Sequence, residues 1–422
     1  MSTLKELLKK YCPDGVEYKT LSEIGEFSNI GVDKKKVDGE KEILLLNFID
    51  VMKNMYIDKS IPKMVVTASD YKIEKCTIEE GDIFITPSSE TIDEIGFASV
   101  ITETIPNACY SYHIMRFRLF EYNMTTSIFI RYCFDSSFLR KQIRKSAQGI
   151  TRFGLTLNKW KSLKIPFPPI EVQKEIVRIL DTFTKYQDLL NRELELRKKQ
   201  YEYYRDKLLT FAEGTQPCGY EVEWKCLGEL LQPKGYIRGP FGSALKKDFF
   251  VKDGVPVYEQ QHAIYNKRVF RYFVDCERAD KLKRFTVKPY DIIISCSGTI
   301  GKISIIMPED RIGIINQALL ILRLDLSKVN VKYIKHYLEC FPNLIVTSSG
   351  GAITNIEKRE IIEKIKIPVP PLKEQERIVN ILDKFDALCN DITRGLPAEI
   401  EMRKKQYEYY RDKLLTFKEK KK

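Results

Sequence analysis

The segment RKKQYEYYRDKLLTF at Arg197–Phe211 recurs without a single change at Arg403–Phe417. A second segment repeats less strictly, with IPFPPIEVQKEIVRIL at Ile165–Leu180 matching IPVPPLKEQERIVNIL at Ile367–Leu382. The proline motif recurs after 202 residues and the helix end after 206, so the second copy holds four extra residues around 394–397. This period is far longer than a solenoid repeat. The chain is therefore a duplication. We call the two repeated segments the constant frame, and the regions between them differ from one copy to the other.

The constant frame has the pattern of a long helix in each copy. Steps of alternately four and three residues from Ile176 to Phe211 meet apolar or aromatic side chains at nine of eleven positions. A seam sustained over so many turns predicts a coiled-coil partner. The second copy begins and ends in the same way, but Gly395 and Pro397 should break or kink its helix. We expect the two copies to pack against each other as an antiparallel coiled coil.

The two divergent regions hold short strand-like segments that turn residues separate and short helical patterns interrupt. We interpret each region as an α+β globule that leads into a proline-marked helix. The sequence thus predicts an α+β fold with a pseudo-two-fold internal repeat. Its predicted parts are a first globule (1–164), a first helix (165–214), a second globule (215–366) and a second helix (367–422).

Composition indicates a polyanionic partner and argues against a membrane protein. The chain carries 70 Lys and Arg against 58 Asp and Glu, a formal net charge of +12. Such a charge favours nucleic acid, although a protein with a merely basic surface fits the charge equally well. No stretch approaches the roughly 20 apolar residues of a membrane-spanning helix, and the start lacks the apolar core of a signal peptide. We expect a cytoplasmic protein with reduced cysteines and no membrane partner.

The sequence lacks the motifs of a catalytic or metal site. The ten cysteines form no CxxC pair and there are only three histidines, so the paired ligands of a zinc site are missing. The stretch Gly298–Lys302 lacks the spacing of a P-loop. No GxGxxG opens a helix after a strand, and no Asn/Asp-Pro-Pro-Tyr/Phe tetrapeptide of amino-methyltransferases is present. We predict no catalytic residue, no metal and no cofactor bound by this chain.

Several loops carry basic and amide side chains of the kind that reach phosphates and base edges. Each loop alone is weak evidence, because a run of charges is usually a solvated face. In the first globule the candidates for DNA contact are Lys34, Lys35, Lys36, Gln148, Thr151 and Arg152. In the second globule they are Lys234, Arg238, Ser243, Lys246, Gln260, Gln261, His262, Ser297, Thr299 and Lys302.

The repeated helix end also offers candidates for contact with a partner protein. Aromatic residues on the seam are expected to form core, as such stripes usually do. Residues off the seam are better placed to meet another protein, and these candidates are Tyr203, Arg205, Tyr409 and Arg411.

The frame resembles the specificity subunits of type I restriction-modification enzymes. The resemblance rests on the duplicated Ile-Pro-x-Pro-Pro motif followed by Gln173 or Gln375, and on the Arg-Asp-Lys-Leu-Leu tails that begin at Arg205 and Arg411. It also rests on the Gly-Pro-Phe-Gly-Ser segment that begins at Gly239, which the first globule lacks. The two globules are therefore expected to belong to different recognition subgroups. The resemblance covers nearly the whole chain.

The resemblance implies a function for each part. In that family each globule is a target recognition domain that reads one half of a bipartite, asymmetric site in double-stranded DNA. The paired helices space the two halves and bind two methyltransferase subunits, and two restriction/translocase subunits complete the enzyme. By this resemblance S-adenosylmethionine, ATP and magnesium belong to the partner subunits, and this chain has a recognition role only.

Two other functions stay open from the residues themselves. One is a single-chain methyltransferase or nuclease that also reads DNA, against which the missing cofactor motifs argue. The other is a scaffold whose coiled coil binds proteins without sequence-specific DNA contact. The net charge of +12 and the divergent globules argue against the scaffold. DNA binding with no sequence preference and no salt dependence would favour it.

Overall fold

Each long helical region is shared between two structural units. The computed structural model describes residues 3–121, 123–211, 220–347, 355–391 and 393–420. The first unit comprises Met1–Asn191 and Glu399–Lys422, and the second comprises Arg192–Ala398. Each unit therefore joins one globule to the first half of the helix that follows it and to the last part of the other copy's helix.

The first unit is built on a five-stranded sheet and a three-stranded sheet. Its strands are β1 (Tyr18–Thr20), β2 (Gly25–Ser28), β3 (Lys41–Leu46), β4 (Tyr56–Ile57), β5 (Met64–Ala68), β6 (Ile83–Ile85), β7 (Ser88–Ser89), β8 (Ala98–Ile101), β9 (Ala108–Tyr110), β10 (Met115–Leu119), β11 (Phe153–Gly154) and β12 (Lys164–Pro166). Its helices are α1 (Leu4–Tyr11), α2 (Leu21–Ile24), α3 (Phe48–Lys53), α4 (Asp70–Lys75), α5 (Met124–Asp135), α6 (Ser137–Ser146), α7 (Leu157–Ser162) and the first half of α8 (Ile170–Leu209). The strand orders are β2-β10-β6-β8-β4 and β5-β3-β9, with smaller pairs β1-β12 and β11-β7.

The second unit repeats this plan with a four-stranded and a three-stranded sheet. Its strands are β13 (Glu223–Cys226), β14 (Leu231–Arg238), β15 (Val255–Tyr258), β16 (Phe273–Val274), β17 (Ile292–Ser295), β18 (Ile303–Ile305), β19 (Ile314–Ile315), β20 (Leu319–Leu324), β21 (Val346–Thr347), β22 (Asn355–Ile356) and β23 (Lys366–Val369). Its helices are α9 (Gln260–Tyr265), α10 (Cys276–Lys281), α11 (Val331–Cys340), α12 (Arg359–Ile362) and α13 (Leu372–Asn390), and the last helix of the chain is α14 (Leu396–Leu414). The strand orders are β14-β20-β17-β18 and β16-β15-β19, with pairs β13-β23 and β21-β22.

The two units share one topology, which confirms the predicted α+β fold and internal repeat. In each unit an early strand pairs antiparallel with the strand that enters the proline motif, so that Tyr18 lies opposite Pro166 and Trp224 opposite Pro368. β10 lies between β2 and β6 just as β20 lies between β14 and β17.

A buried ion pair recurs at the same place in both units. Arg118 donates two hydrogen bonds of 2.6 and 2.7 Å to the carboxylate of Asp82, and Arg323 donates two of 2.8 Å to Asp291. Both carboxylates are buried, with 1% of each residue exposed. Bidentate geometry of this kind satisfies both charged groups. The frame thus conserves a polar interaction as well as its helices.

The helix halves pack in antiparallel pairs within each unit. In the first unit the rings of Phe183 and Tyr410 stack with their centroids 5.5 Å apart. The Tyr186 hydroxyl donates a hydrogen bond of 3.2 Å to the Glu399 carboxylate. Residue numbers therefore rise along one helix while they fall along the other, so the two helices run antiparallel. In the second unit Tyr204 stacks on Phe385 at 5.7 Å. These contacts confirm the predicted antiparallel coiled coil, and the apolar seam explains why it forms.

The C-terminal end of each repeated helical segment contributes a buried leucine to one of the two cores. Leu209 is buried in the core of the second unit, and Leu415 is buried in the core of the first. The equivalent leucines of the two identical segments are therefore both core residues, one in each unit.

The break predicted in the second helix is present between α13 and α14. The Gly395 amide donates to the carbonyl oxygen of Asp391 at 2.9 Å. A Cβ atom at Gly395 would fall 2.4 Å from the carbonyl oxygen of Ala387, so only glycine fits this close turn. In the part of the chain that the structure describes, no helix is long and apolar enough to cross a membrane.

Candidate nucleic-acid interface

Four loops of the second unit meet at one edge of its sheets, because they follow the ends of β14, β15, β17 and β19. We define this edge as rim 2, which comprises 238–243, 259–261, 297–302 and 316–317. The Gly239 amide donates to the carbonyl oxygen of Leu319 at 2.9 Å, and the Asn316 amide donates to Tyr258 at 2.9 Å. The Ser297 hydroxyl donates to the side-chain oxygen of Gln260 at 3.0 Å. Rim 2 is therefore one connected surface.

The Gly-Pro-Phe-Gly-Ser loop is fixed to rim 2 by its first two residues. A Cβ atom at Gly239 would fall 1.9 Å from the carbonyl oxygen of Asn316, so the backbone approaches too closely for any other residue. Pro240 is buried. Next to this loop, Arg238 lies beside the Cys296 thiol, whose pKa burial raises to about 11 against the opposing effect of the Arg238 guanidinium. The loop therefore presents Phe241 and Ser243 outward from a fixed base.

The structure brings eight of the predicted contacts of the second globule together on or beside rim 2. Gln260 and Gln261 are half-buried there, at the start of α9. The others are exposed: Arg238, Ser243, Lys246, Ser297, Thr299 and Lys302.

Lys234 lies away from rim 2, contrary to its selection as a DNA contact. It occupies a bulge in β14, where the register shifts between Leu231 and Tyr236 opposite β20. Its φ of 60° belongs to this irregular turn. The register places Tyr236 opposite Leu322 and Arg238 opposite Leu320, so the bulge with Lys234 ends about 7 Å before Arg238 along the strand. Lys234 is therefore at the other end of β14 from the loops.

His262 is buried and cannot present its ring to a ligand. Its Nδ1 atom accepts a hydrogen bond of 2.8 Å from the Glu259 amide, and its Nε2 atom lies 3.1 Å from the carbonyl oxygen of Val269. The ring stacks on Phe270 at 4.8 Å. Burial lowers the pKa of this histidine. His262 caps the start of α9 from a buried position, so its prediction as a DNA contact is wrong.

The first unit has an equivalent edge, which we define as rim 1 and which comprises 31–34, 47–49, 87–89, 112–113 and 148–152. The Val32 amide donates to the carbonyl oxygen of Tyr110 at 2.9 Å, and the Arg152 guanidinium donates to the Ser88 hydroxyl at 3.1 Å. All six predicted contacts of the first globule are exposed. Lys34, Gln148, Thr151 and Arg152 lie on rim 1. Lys35 and Lys36 lie away from it, because the Lys35 carbonyl oxygen accepts from the Thr67 amide and Lys36 pairs with Glu42, beside the start of β3.

Gly31 is the structural counterpart of Gly239. Each glycine follows the first strand of the larger sheet, β2 or β14, and lies against the segment that leads into the neighbouring strand, β10 or β20. A Cβ atom at Gly31 would fall 2.2 Å from the backbone nitrogen of Tyr112. The segment that leads from Gly31 to Lys34 therefore leaves the sheet at the same place as the Gly-Pro-Phe-Gly-Ser loop does in the second unit. The sequence does not show this equivalence, because the two loops share only the glycine.

Rim 1 concentrates positive charge around His113. Burial lowers the pKa of His113, and the nearby Lys34 and Arg152 lower it further. Outside rim 1, Lys35 pairs with Asp33 at 3.2 Å and Lys36 with Glu42 at 3.0 Å, all four side chains being largely exposed. Exposed pairs of this kind contribute at most about 1 kcal/mol. These lysines can therefore exchange their carboxylate partners for phosphates at little cost.

The loop 148–154 of rim 1 is closed by backbone hydrogen bonds. Gln148 and Gly154 exchange two of them, at 3.0 and 2.9 Å. Gly149 has a φ of 133°, and a Cβ atom there would fall 1.9 Å from the carbonyl oxygen of Arg152. Gly154 pairs with Ser88 on β7. The loop therefore has a fixed base, from which Gln148, Thr151 and Arg152 face outward.

Some rim residues carry no recognisable motif in the sequence, because they follow strands without forming a charged or glycine-rich segment. They are Ser88, Tyr112 and His113 in rim 1 and Asn316 and Gln317 in rim 2. Their only signal in the sequence is a polar residue within three positions after a buried strand.

The predicted partner-binding tyrosines form two exposed patches with the same geometry. Tyr203 is 59% exposed and Tyr409 is 62% exposed. Lys207 lies 5.7 Å from the ring of Tyr203, and Lys413 lies 5.7 Å from that of Tyr409. We call these pairs the tyrosine patches. The lysines were not among the sequence candidates.

The two predicted arginines support the tyrosine patches more than they extend them. Arg205 donates to Asp206 at 2.8 Å, and Arg411 donates to Asp412 at 3.1 Å. Only 27% of the Arg205 side chain and 15% of the Arg411 side chain is exposed. Within the described residues, no group of three or more His, Cys, Asp or Glu is arranged to hold a metal ion.

Comparisons with known proteins agree on one family. A family model described as "Type I restriction modification DNA specificity domain" matches residues 13–197 and 222–402. The chain is 37% identical over 287 residues to the Escherichia coli type I restriction enzyme EcoR124I/EcoR124II specificity subunit. That match covers 62% of this chain and 65% of the relative.

Two solved structures have the same fold. The S subunit of the type I restriction-modification system from M. genitalium has a TM-score of 0.51 and 15% identity, covering 95% of this chain and 96% of that one. The HsdS subunit from Thermoanaerobacter tengcongensis has a TM-score of 0.53 and 17% identity, covering 96% and 97%. Both halves of the duplicated frame match the family model separately, so the chain belongs to the type I restriction-modification DNA specificity family.

Proposed function

We propose that this chain is the non-catalytic, sequence-reading subunit of a type I restriction-modification complex. Its globules, 1–164 and 215–366, act as target recognition domains that read two unlike halves of a bipartite site in double-stranded DNA. The observation that carries the proposal is the pair of rims. They occupy the same place in one topology, yet they present different side chains, which is what two different half-sites require.

Each rim combines groups that bind phosphates with groups that read bases. Lys34 and Arg152 on rim 1 and Arg238 and Lys302 on rim 2 supply positive charge on exposed side chains. Such residues bind the DNA backbone and fix the register of the protein.

Amide side chains lie among these charges, and they have the donors and acceptors that distinguish base edges in the major groove. They are Gln148 on rim 1 and Gln260 and Gln261 on rim 2. A bidentate contact from Asn or Gln to adenine discriminates by about 1–3 kcal/mol against the wrong base. The Ser297 hydroxyl donates a hydrogen bond of 3.0 Å to the side-chain oxygen of Gln260 and thus limits the orientations of the Gln260 amide group.

The helices supply the attachment to partner proteins. We infer that the two tyrosine patches bind two methyltransferase subunits, one each, because two surfaces of identical sequence and geometry suit two copies of one partner. The segments 165–214 and 367–422, which contain α8, α13 and α14, act as the spacer between the recognition domains. Two restriction/translocase subunits join through this complex in the cytoplasm. S-adenosylmethionine, ATP and magnesium are bound by those partners, which carry the chemistry.

The test is selection of DNA from a randomised duplex library by this chain in complex with its methyltransferase subunit. The expected result is one motif with two unlike specified halves and an unspecified gap of constant length. A variant with Gln260→Ala and Gln261→Ala should relax the specified bases in one half only, and one with Gln148→Ala in the other. Enrichment of no motif by an intact complex would refute sequence reading and leave the scaffold function.

A further inference from the structure

Two apolar side chains project from the rims almost completely into solvent. Among the described residues, Ile150 and Phe241 are the most exposed large hydrophobic side chains, at 93% and 90%. Single exposed hydrophobics are common on protein surfaces and need no explanation by themselves. These two differ because each lies at the tip of a rim loop, one in each unit, among polar and basic neighbours.

The base of the Ile150 loop is fixed on both sides. Gln148 and Gly154 close it by two backbone hydrogen bonds, and Gly149 adopts a φ that other residues rarely take. Arg152 is held by the Ser88 hydroxyl at 3.1 Å. The tip is therefore a short, closed turn that carries Ile150 outward.

The base of the Phe241 loop is fixed by different contacts. Gly239 and Pro240 pack against the sheet edge before the tip. After the tip, the Ala244 amide donates to the carbonyl oxygen of Phe241 at 2.9 Å, and the Ala244 carbonyl oxygen accepts from Arg278 at 2.8 Å. Leu245 is buried in the adjoining core. Two loops of unrelated sequence thus reach the same outcome, a fixed apolar tip on a DNA-facing surface.

We propose that Ile150 and Phe241 are wedges that enter the DNA duplex between neighbouring base pairs, one in each half of the site. The proposal rests on the function proposed above. Isoleucine and phenylalanine are among the side chains that DNA-bending proteins insert at base steps. A wedge held on a fixed loop loses little conformational freedom when it binds. Unstacking at these steps loosens the duplex in each half-site, which assists extrusion of a base to a partner subunit.

The experiment uses chemical probing of the selected duplex bound by this chain and its methyltransferase subunit. Permanganate detects unstacked thymines and diethyl pyrocarbonate detects unstacked purines, so every base step contains a reactive position. We expect an enhanced signal at one step in each half-site. Phe241→Ala should abolish the signal in one half, and Ile150→Ala should abolish it in the other. Each should weaken binding roughly tenfold, since the energy of the inserted contact is lost.

Matched controls separate a wedge from a general loss of apolar surface. Phe120 is 63% exposed directly after β10, and Leu326 is 44% exposed just after β20, each at the strand end away from its rim. Phe120→Ala and Leu326→Ala should leave affinity and the probing pattern unchanged. Phe241→Leu should retain part of the signal. All these side chains are exposed, so none of the variants should shift the thermal midpoint.

The possible failures are distinguishable. If the wild-type complex selects its motif but the probing pattern shows no unstacked step, or is unchanged in Phe241→Ala and Ile150→Ala, the wedges are refuted while sequence reading stands. The same result is expected if either side chain only contacts a thymine methyl group in an undistorted groove. If the wild-type complex shows no sequence preference, the proposed function fails and the wedges fail with it.

Discussion

The side-chain amide of Gln375 donates a hydrogen bond of 2.8 Å to the carbonyl oxygen of Pro370, five residues before it. Gln173 makes the same bond to Pro168 at 2.7 Å. Both glutamines are buried. The bond satisfies a carbonyl group at the point where the proline motif turns into the helix, which explains why glutamine follows the prolines in both copies.

The two glutamines should differ in their contribution to stability. Gln375 also accepts a hydrogen bond of 2.8 Å from the Asn330 amide, whereas the structure shows no partner for the side-chain oxygen of Gln173 among the described residues. Gln375→Leu leaves the Pro370 carbonyl oxygen and the partly buried Asn330 amide unpaired and should cost about 2–4 kcal/mol, and Gln173→Leu about 1–3 kcal/mol. The midpoint of urea unfolding measures both. Equal midpoints for the two variants would contradict this interpretation of the motif.

Salt dependence should separate the rim lysines from Lys234. Lys302→Ala and Lys246→Ala should each weaken DNA binding and reduce the slope of log affinity against log salt by about 1, because each removes one phosphate contact. Lys234→Ala is the matched control, since Lys234 is also exposed but lies at the other end of β14. Titrations of the selected duplex between low and moderate salt give the slopes. A reduced slope in Lys234→Ala, or none in the other two variants, would place the interface elsewhere.

DNA binding by the first unit should strengthen as the pH falls below neutrality. Burial, Lys34 and Arg152 lower the pKa of His113, while Asp33 raises it. A bound phosphate would favour the imidazolium, so the pKa in the complex is higher than in the free protein. Affinity therefore rises with falling pH between these two pKa values, by at most about tenfold per pH unit for one proton.

The control for this pH effect is His113→Gln, which keeps a polar side chain that does not titrate in this range. Between pH 7.5 and 5.5, a span of about two pH units, the DNA affinity of this variant should change less than that of the wild type. Fluorescence anisotropy with the selected duplex measures both proteins. Identical pH profiles would show that His113 does not face a phosphate.

The tyrosine patches should each hold one methyltransferase subunit. Tyr203→Ala and Tyr409→Ala should each release one copy, and the double variant should release both. The loss of a tyrosine anchor is expected to cost about 2 kcal/mol or more, roughly 30-fold in affinity. Native mass spectrometry without DNA counts the bound copies. Tyr71 on α4 is 62% exposed and serves as the control, since Tyr71→Ala should leave both copies bound.

The sequence predicted the frame well because its signals are local. The proline motif, the apolar seam from Ile176 and the break at Gly395 each depend on neighbouring residues, and the structure confirms the helices and the break. The sharing of each helix between two units was not predicted. It depends on contacts such as Phe183 with Tyr410, which lie more than two hundred residues apart in the sequence.

The candidate site was harder to predict because exposure and loop position depend on the fold. His262 stands in a polar Gln-Gln-His segment, yet its ring caps α9 from a buried position. Lys234 belongs to a strand whose other end reaches rim 2. Gly31 is recognised as the counterpart of Gly239 only because each lies against the segment that precedes β10 or β20.

The central claim is that this chain supplies the sequence specificity of a methyltransferase complex. The most direct test is genome-wide mapping of adenine methylation by single-molecule sequencing in cells that express this chain with its methyltransferase subunit. We predict one bipartite, asymmetric motif that disappears when this chain is omitted and loses specificity in one half when rim 2 carries Gln260→Ala and Gln261→Ala. Unchanged methylation on omission of the chain, in cells where the two proteins are shown to bind each other, would contradict the claim.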